Sequence, residues 1–253
     1  VAQHLSLRRG DRRRAGGSRS SALAAALEAL EESARYDQQP RAFNTNKNRS
    51  FNLDESDLVA LSAVRRGKVP LVVQVDRAAD IIKVVTAFGS YPALRLVLAS
   101  ATEAWKVAPL LKADNIPVLI NVMENLPQNF DRLGARLDQA TLLAEAGVRF
   151  AFFSGSPYSE TRSLSQAAGI AVAQGLSWQQ EVTAITAAPA EIWGLKGLGR
   201  IEVGAIADLV IWNGDPLEVT SAPVAVLIDG ARVDLETRQD ALAKRYVELL
   251  NLK

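Results

Sequence analysis

Four short, nearly continuous apolar segments recur along the middle of the sequence, separated by stretches with helical spacing. They are VPLVVQV at 69–75, LRLVLAS at 94–100, IPVLINV at 116–122 and VRFAFFS at 148–154. Such runs are typical of parallel strands that are buried on both faces of a sheet. Strand–helix repeats of roughly 25–30 residues indicate βαβ units, so the sequence predicts an α/β fold, either a barrel or a doubly wound sheet.

The pattern of secondary structure that the sequence predicts changes at residue 199. Before it, helical spacing is found at 18–36, 53–67, 77–88, 102–113, 135–146, 163–174 and 178–193. After it, the chain is β-rich, with turn dipeptides at Asn213-Gly214 and Asp229-Gly230. We therefore expect a second unit of antiparallel strands, followed by a final helix at 236–251.

The amino-terminal segment is strongly basic. Residues 1–20 contain six arginines and one acidic residue, whereas the formal net charge of the whole chain is +1. A basic arm can bind nucleic acid, but no aromatic residue lies between these arginines. The sequence therefore favours a disordered, solvated tail at 1–17 and no nucleic-acid partner.

Composition excludes some classes of site and leaves the compartment open. The chain has no cysteine, which excludes disulfides, thiolate metal sites and cysteine nucleophiles. No apolar run reaches the roughly 20 residues that a bilayer span requires, so no membrane partner is expected. Because the chain begins with Val1, we expect that its natural N-terminus is missing, and both cytoplasm and periplasm stay open.

Two parts of the sequence resemble the amidohydrolase superfamily. Residues 184–216, AITAAPAEIWGLKGLGRIEVGAIADLVIWNGDP, resemble its C-terminal signature, in which a barrel helix leads into strands of a small β-sandwich. Residues 75–157 are similar to strands five to eight of its imidazolonepropionase-like branch. The similarity extends over 16–235, with Ala188 and Ala205 where the family usually has asparagine and lysine.

The resemblance implies a fold, an activity and partners. The implied fold is the C-terminal half of a (β/α)₈ TIM-like barrel at 18–198, C-terminal strands of a small β-sandwich at 199–235 and a helix within 236–253. Family members hydrolyse non-peptide C–N bonds in cyclic or linear amides and use zinc or another divalent metal. The implied partners are a small amide-like ligand, the missing N-terminal half of the same protein, and a second copy or a paralogous subunit.

The positions at which the family has metal ligands carry other residues here. The His-x-His-Arg of strand five corresponds to Gln-Val-Asp-Arg at 74–77, and the histidine after strand six to Ser100. The Ser-Asp-His-Pro of strand eight corresponds to Ser-Gly-Ser-Pro at 154–157, and the only histidine, His4, lies in the expected tail. No metal site is therefore expected in this chain. The implied protein is a metal-degenerate hydrolase or, alternatively, a non-catalytic paralogue that binds a ligand or acts as a scaffold.

The candidate site residues are polar side chains expected at the ends of the strands. Asp76 is a candidate general base and Arg77 a candidate ligand clamp; alternatively, Asp76 and Asp80 stabilise the start of the following helix, and Asp76 pairs with Arg77. The hydroxyl-rich segment 154–159 is equally suited to holding an anion or to capping the next helix. The expected pocket residues are Gln74, Ser100, Glu103, Asn121, Ser154, Ser156 and Tyr158.

Overall fold

A parallel sheet forms the centre of the molecule. The computed structural model describes residues 2–8, 17–39, 51–124, 126–153 and 164–251. Its strands lie in the order β1–β2–β3–β4–β5, and each is parallel to its neighbours. They are β1 (Gln3–Ser6), β2 (Leu71–Val75), β3 (Leu96–Ser100), β4 (Val118–Ile120) and β5 (Phe150–Phe152). The predicted α/β class is confirmed, and the arrangement fits part of a TIM-like barrel.

Helices connect these strands and follow the last of them. They are α1 (Arg19–Gln38), α2 (Glu55–Arg65), α3 (Ala78–Phe88), α4 (Ala108–Ala113), α5 (Gln139–Glu145), α6 (Leu164–Ala173), α7 (Trp178–Ile185) and α8 (Ala187–Trp193). In α3 the buried side chains are Ile81, Val84, Val85 and Phe88. This spacing places them on one helix face, which packs in the main core with residues of the sheet. The packing holds α3 next to the carboxyl end of β2.

The predicted helix 178–193 is interrupted. Thr186, with φ −127° and ψ −81°, separates α7 from α8. The break precedes Pro189, which has no N–H and whose ring would clash with the carbonyl four residues earlier in a continuous helix. The interruption lets α8 turn onto the opposite face of the sheet, where Ala188 and Ile192 are buried.

Both faces of the sheet are covered. On one face, alternate residues of the strands join the main core with the helices; they include Val73, Leu98, Ile120 and Phe152. On the other face, a smaller cluster contains Val72, Val97, Ala99, Leu119 and Ala151, together with residues of α8. This double burial explains why the strands read as continuous apolar runs rather than as an alternation.

The prediction of a disordered tail at 1–17 is wrong for the first residues of the segment. Gln3–Ser6 form β1, which pairs in parallel with β2 so that His4 lies opposite Val72. Leu7 follows the strand and is buried in the main core. The strand Gln3–Ser6 contains a single apolar residue, Leu5, so its sequence carries little strand pattern. Its pairing with β2 and the burial of Leu7 stabilise it. Residues 9–16 lie outside the described residues.

The chain ends in a smaller antiparallel sheet and a helix. The strands β6 (Leu209–Trp212), β7 (Pro223–Ile228) and β8 (Ala231–Arg232) lie in that order. The hairpin between β7 and β8 turns at Asp229 and Gly230, both with positive φ, as an Asp-Gly turn requires. Helix α9 (Arg238–Asn251) follows. Among the described helices, none is both long and apolar enough to cross a membrane.

Candidate active site

Polar side chains gather where the strands of the parallel sheet end. Arg8 follows β1, Asp76 follows β2, Ser100 is the last residue of β3 and Asn121 follows β4. Parallel strands bring their carboxyl ends to one edge of the sheet, which is where barrel enzymes place their catalytic groups. This carboxyl edge is therefore the candidate site, and its central residue is Asp76.

The Asp76 carboxylate is buried and hydrogen-bonded. The residue is 6% exposed. Its Oδ1 atom accepts hydrogen bonds from Ser100 Oγ at 2.6 Å and from Thr102 Oγ1 at 2.7 Å. Hydrogen bonds of this kind offset part of the cost of removing a carboxylate from water. They also tie the end of β2 to the end of β3.

Two guanidinium groups face the other oxygen of Asp76. Its Oδ2 atom lies 3.5 Å from Arg8 Nε and 3.8 Å from Arg132 Nε. The same two arginines also pair with Glu124: Arg8 Nη2 lies 3.4 Å from its Oε2, and Arg132 Nη2 contacts that oxygen directly. Arg132 is 5% exposed, so this is a buried pairing rather than a surface one. We call Arg8, Arg132, Asp76 and Glu124 the ion-pair cluster.

The backbone at the end of β3 is strained. Ser100 and Ala101 have φ values of 67° and 45°, although neither is glycine. The left-handed conformation is held in place by the Ala101 N–H, which donates to Val75 O at 2.8 Å. It turns the chain so that the hydroxyls of Ser100 and Thr102 both reach Asp76. Each such residue costs on the order of 1–3 kcal/mol, and conformations of this kind concentrate at functional sites.

The prediction that the Asp76 side chain caps the following helix is wrong. Neither carboxylate oxygen of Asp76 hydrogen-bonds to the first turn of α3. The N-cap residue of α3 is Arg77, whose side chain makes no capping hydrogen bond. Glu103 takes that place, because its Oε2 accepts the Ala78 N–H at 2.9 Å. Burial raises the pKa of Glu103, but hydrogen bonds from Lys106 and Ala78 outweigh it, so the pKa lies below its ordinary value. Glu103, expected in the pocket, is thus held at the helix start.

Arg77 does not pair with Asp76 either. Its Nη2 donates to Phe130 O at 2.9 Å and lies 3.1 Å from Asp131 Oδ1. Asp80, which lies in the first turn of α3, pairs with Arg19 at 3.2 Å. Arg77 therefore anchors the connection between β4 and α5, which carries Arg132. Its role as a ligand clamp stays a prediction.

The remaining expected site residues divide into two groups. Gln74 is half-buried on β2 opposite Ala99 of β3, and Asn121 is buried at the end of β4. Asn121 Oδ1 accepts the Met123 N–H at 3.0 Å, and within the described residues its Nδ2 has no hydrogen-bond partner. Ser154, Ser156 and Tyr158 lie outside the described residues.

Sequence reasoning missed both arginines of the cluster. Arg8 was assigned to the tail, and Arg132 lies in an irregular connection, 56 residues after Asp76. The one available signal was the strand-like alternation of leucines just before Arg8. The role of Thr102 was also missed. Its contact with Asp76 depends on the left-handed turn at Ser100 and Ala101, for which no glycine provides a signal.

The donor set at the carboxyl edge does not fit a divalent metal. Within the described ranges, no three His, Cys, Asp or Glu side chains come together in a way that could hold an ion. The Asp76 oxygens face hydroxyl donors and guanidinium groups, and His4 is exposed on β1. A zinc site needs three or four imidazole, thiolate or carboxylate ligands around one point. Gln74 and Ser100 are poor substitutes for them.

Comparison with known proteins finds that part of the chain is similar to one family. Residues 143–234 match the model of the amidohydrolase family. A curated protein, amidohydrolase tasK of Hapsidospora irregularis, is 34% identical over 90 residues, which are 35% of this chain and 9% of that protein. The sequence signature at 184–216 lies within the matched region.

Solved structures resemble the fold. An amidohydrolase from Thermotoga maritima MSB8 superposes with a TM-score of 0.81 at 23% identity, covering 91% of this chain and 62% of that one. A second amidohydrolase gives 0.53 at 22% identity, over 74% and 50%. A Xaa-Pro dipeptidase with bound methionine gives 0.51 at 20% identity, over 74% and 50%. The chain thus spans less than two thirds of the length of these relatives.

Proposed function

We propose that this chain belongs to the amidohydrolase superfamily, whose family model matches residues 143–234, and that the protein hydrolyses C–N bonds other than peptide bonds in cyclic or linear amides. The observation that carries the proposal is the position of Asp76, a buried carboxylate at the carboxyl edge of the parallel sheet. Catalytic residues of barrel enzymes occupy this edge. The N-terminal half of the barrel, expected from the resemblance, is proposed to complete the pocket.

In the proposed reaction Asp76 is the general base. A water molecule adds to the carbonyl carbon of the amide while its proton passes to the Asp76 carboxylate. The C–N bond then breaks, and the leaving nitrogen takes up that proton, so that an acid and an amine result. The guanidinium groups of Arg8 and Arg132, both near Asp76, are suited to stabilise the negative charge that develops on the carbonyl oxygen.

No step of this reaction is assigned to a metal. The family implies zinc or another divalent ion, but the described donors at the carboxyl edge do not fit one. We therefore propose that the part of the site in this chain is metal-degenerate. The chemistry here rests on Asp76 and on the two arginines.

A second candidate function is a non-catalytic paralogue that binds an amide-like ligand or supports an active subunit. The observation that favours it is the engagement of both oxygens of Asp76, one with two hydroxyls and the other with two guanidinium groups. A general base must have a free lone pair that faces the attacking water. In the conformation described, Asp76 is stabilised rather than exposed to a reactant.

The two candidates separate in one pair of variants of the full-length protein. With a panel of cyclic amides, linear amides and dipeptides, we expect Asp76→Asn to lower turnover of an amide by about 10²–10⁴-fold, the usual contribution of a general base. Asp80→Asn, a matched change in the next helix, should leave turnover unchanged because Asp80 pairs with Arg19 away from Asp76. Amide binding without turnover in the wild type would favour the second function.

A further inference from the structure

Arg8 and Arg132 come from different elements and bridge the same two carboxylates. Arg8 comes from the end of β1, and Arg132 from the connection between β4 and α5. Each contacts both Asp76 Oδ2 and Glu124 Oε2. Arg8 Nη2 also donates to Ser100 Oγ at 3.0 Å, so the guanidinium reaches the hydroxyl that is bonded to Asp76. The four charged groups form one connected unit.

We infer that these two guanidinium groups take the place of a divalent cation at the carboxyl edge. Two arginines carry a formal charge of +2, which equals that of one divalent ion and balances the carboxylates of Asp76 and Glu124. The inference deepens the proposed function and rests on its assignment of the site to this edge. It makes the edge a preformed, metal-independent cluster of charges.

The burial of Asp76 explains why positively charged groups are needed where a divalent cation is absent. Its side chain is 4% exposed, and a carboxylate in such a position requires counter-charges or strong hydrogen-bond donors. A guanidinium group supplies five N–H donors in a fixed plane and does not lose its charge near neutral pH. It can therefore bridge two carboxylates, as a metal ion does, from a fixed point on the chain.

The same arrangement disfavours a metal ion. An incoming cation would meet two positive charges beside the carboxylates that it needs as ligands. It would have to displace both arginines, and Arg132 is buried. The cluster also joins β1 and β2 to the connection after β4, a cross-link that a metal centre supplies in other proteins.

The test removes the arginines and supplies cations. In the full-length protein, we expect Arg8→Ala combined with Arg132→Ala to lower the Tm by roughly 10 °C. Millimolar Mg²⁺, Ca²⁺ or Zn²⁺ should then raise the Tm of this variant, because the ion can occupy the position between Asp76 and Glu124. The wild type should show no such change, and Asp76→Asn added to the double variant should abolish it.

Two controls keep the test decisive. Arg136→Ala removes an exposed arginine from the same connection, where it pairs with Asp138 and lies 4.9 Å from the centre of the Trp105 ring. It should lower the Tm only slightly and leave the protein without a response to cations. If the double variant does not fold, Arg8→Ala alone is used, because that side chain is 30% exposed and its loss is milder.

Two results would overturn the inference. One is a wild-type protein that binds one equivalent of zinc at micromolar concentration and loses it in Asp76→Asn. The other is an arginine-deficient variant whose Tm does not respond to any of the three cations. Neither measurement uses turnover. The result therefore stays separate from the test of the proposed reaction, because a lack of amide hydrolysis would not change the response of the Tm to cations.

Discussion

Asp76 at the carboxyl edge and Glu181 in helix α7 are both buried acids, but their surroundings differ. Asp76 is 6% exposed and has two hydroxyls and two guanidinium groups as partners. Glu181 is 0% exposed, and within the described residues neither of its carboxylate oxygens has a hydrogen-bond partner. Burial alone raises the pKa of Glu181 to about 8.

The difference shows two ways in which a folded chain accommodates a carboxyl group away from water. At the carboxyl edge, opposite charges and hydroxyl donors surround it, which can compensate the lost hydration. In α7 no such group lies near Glu181 within the part of the chain that the structure describes, and burial favours the protonated side chain. Of the two arrangements, the first presents charged groups that a ligand can contact, which is why we propose the site at Asp76 rather than at Glu181.

The largest expected effect comes from removing one charge partner of Asp76. Arg132→Met should lower the free energy of unfolding by about 3–5 kcal/mol, because it leaves buried carboxylate charge without compensation. Urea denaturation followed by circular dichroism measures the change. Arg136→Met, at an exposed pair in the same connection, should remain close to the wild type. A loss below about 1 kcal/mol for Arg132→Met would mean that Arg8 and the two hydroxyl donors accommodate Asp76 without Arg132.

The next effect concerns the pH dependence of stability through Glu181. Between its ordinary value of 4.5 and its folded-state value of about 8, the unfolded chain releases the proton while the folded chain keeps it. The unfolded state then binds fewer protons, so stability falls as pH rises through this window and levels off above it. At about 1.4 kcal/mol per pKa unit, we expect a loss of about 3–4 kcal/mol between pH 5 and pH 8.

The variant Glu181→Gln tests this assignment. Its free energy of unfolding should be nearly constant from pH 5 to pH 8, since glutamine does not titrate. Urea titrations at four pH values across the window, on wild type and variant, measure the two slopes. Equal slopes would show that Glu181 is ionised in the folded protein and that the two regions do not differ in the way described.

The smallest effect concerns Glu103, which lies between the two cases because its partners are a backbone N–H and Lys106. Glu103→Ala should cost about 1 kcal/mol through the loss of the acceptor at the start of α3. Glu103→Gln should cost less, since its amide oxygen can still accept the Ala78 N–H. Thermal melts of both variants measure the difference. A larger loss in Glu103→Gln than in Glu103→Ala would indicate that the acid has a different role.

The sheet could be predicted from sequence because its pattern is local. Continuous apolar runs such as 69–75 and 116–122 contain β2 and β4, and the spacing of Ile81, Val84, Val85 and Phe88 marks the buried face of α3. Each of these features depends on residues that are close together in the chain. The apolar residues recur along the element at the spacing of a strand or a helix, so the sequence shows the pattern.

The site could be predicted only in part, because its contacts are distant in sequence. Asp76 was recognised from its position after β2, but its partners Arg8 and Arg132 lie 68 residues before it and 56 residues after it. An acid in the first residues after a strand is as consistent with a helix cap as with a buried site. The decision between them depends on the left-handed turn at Ser100 and Ala101, which tertiary packing imposes on residues with no intrinsic preference for it.

One arginine of the site follows a short strand at the edge of the sheet. Strand β1 has four residues, and its neighbouring contacts with β2 include Gln3 N–H to Pro70 O at 3.0 Å and Leu7 N–H to Gln74 O at 2.9 Å. Such a segment can open locally at a lower free energy than global unfolding. Arg8 moves away from Asp76 whenever β1 separates from β2. The site therefore stays intact only as long as β1 remains paired with β2. The hydrogen-exchange rate of the Leu7 amide therefore reports how often the site loses a charge.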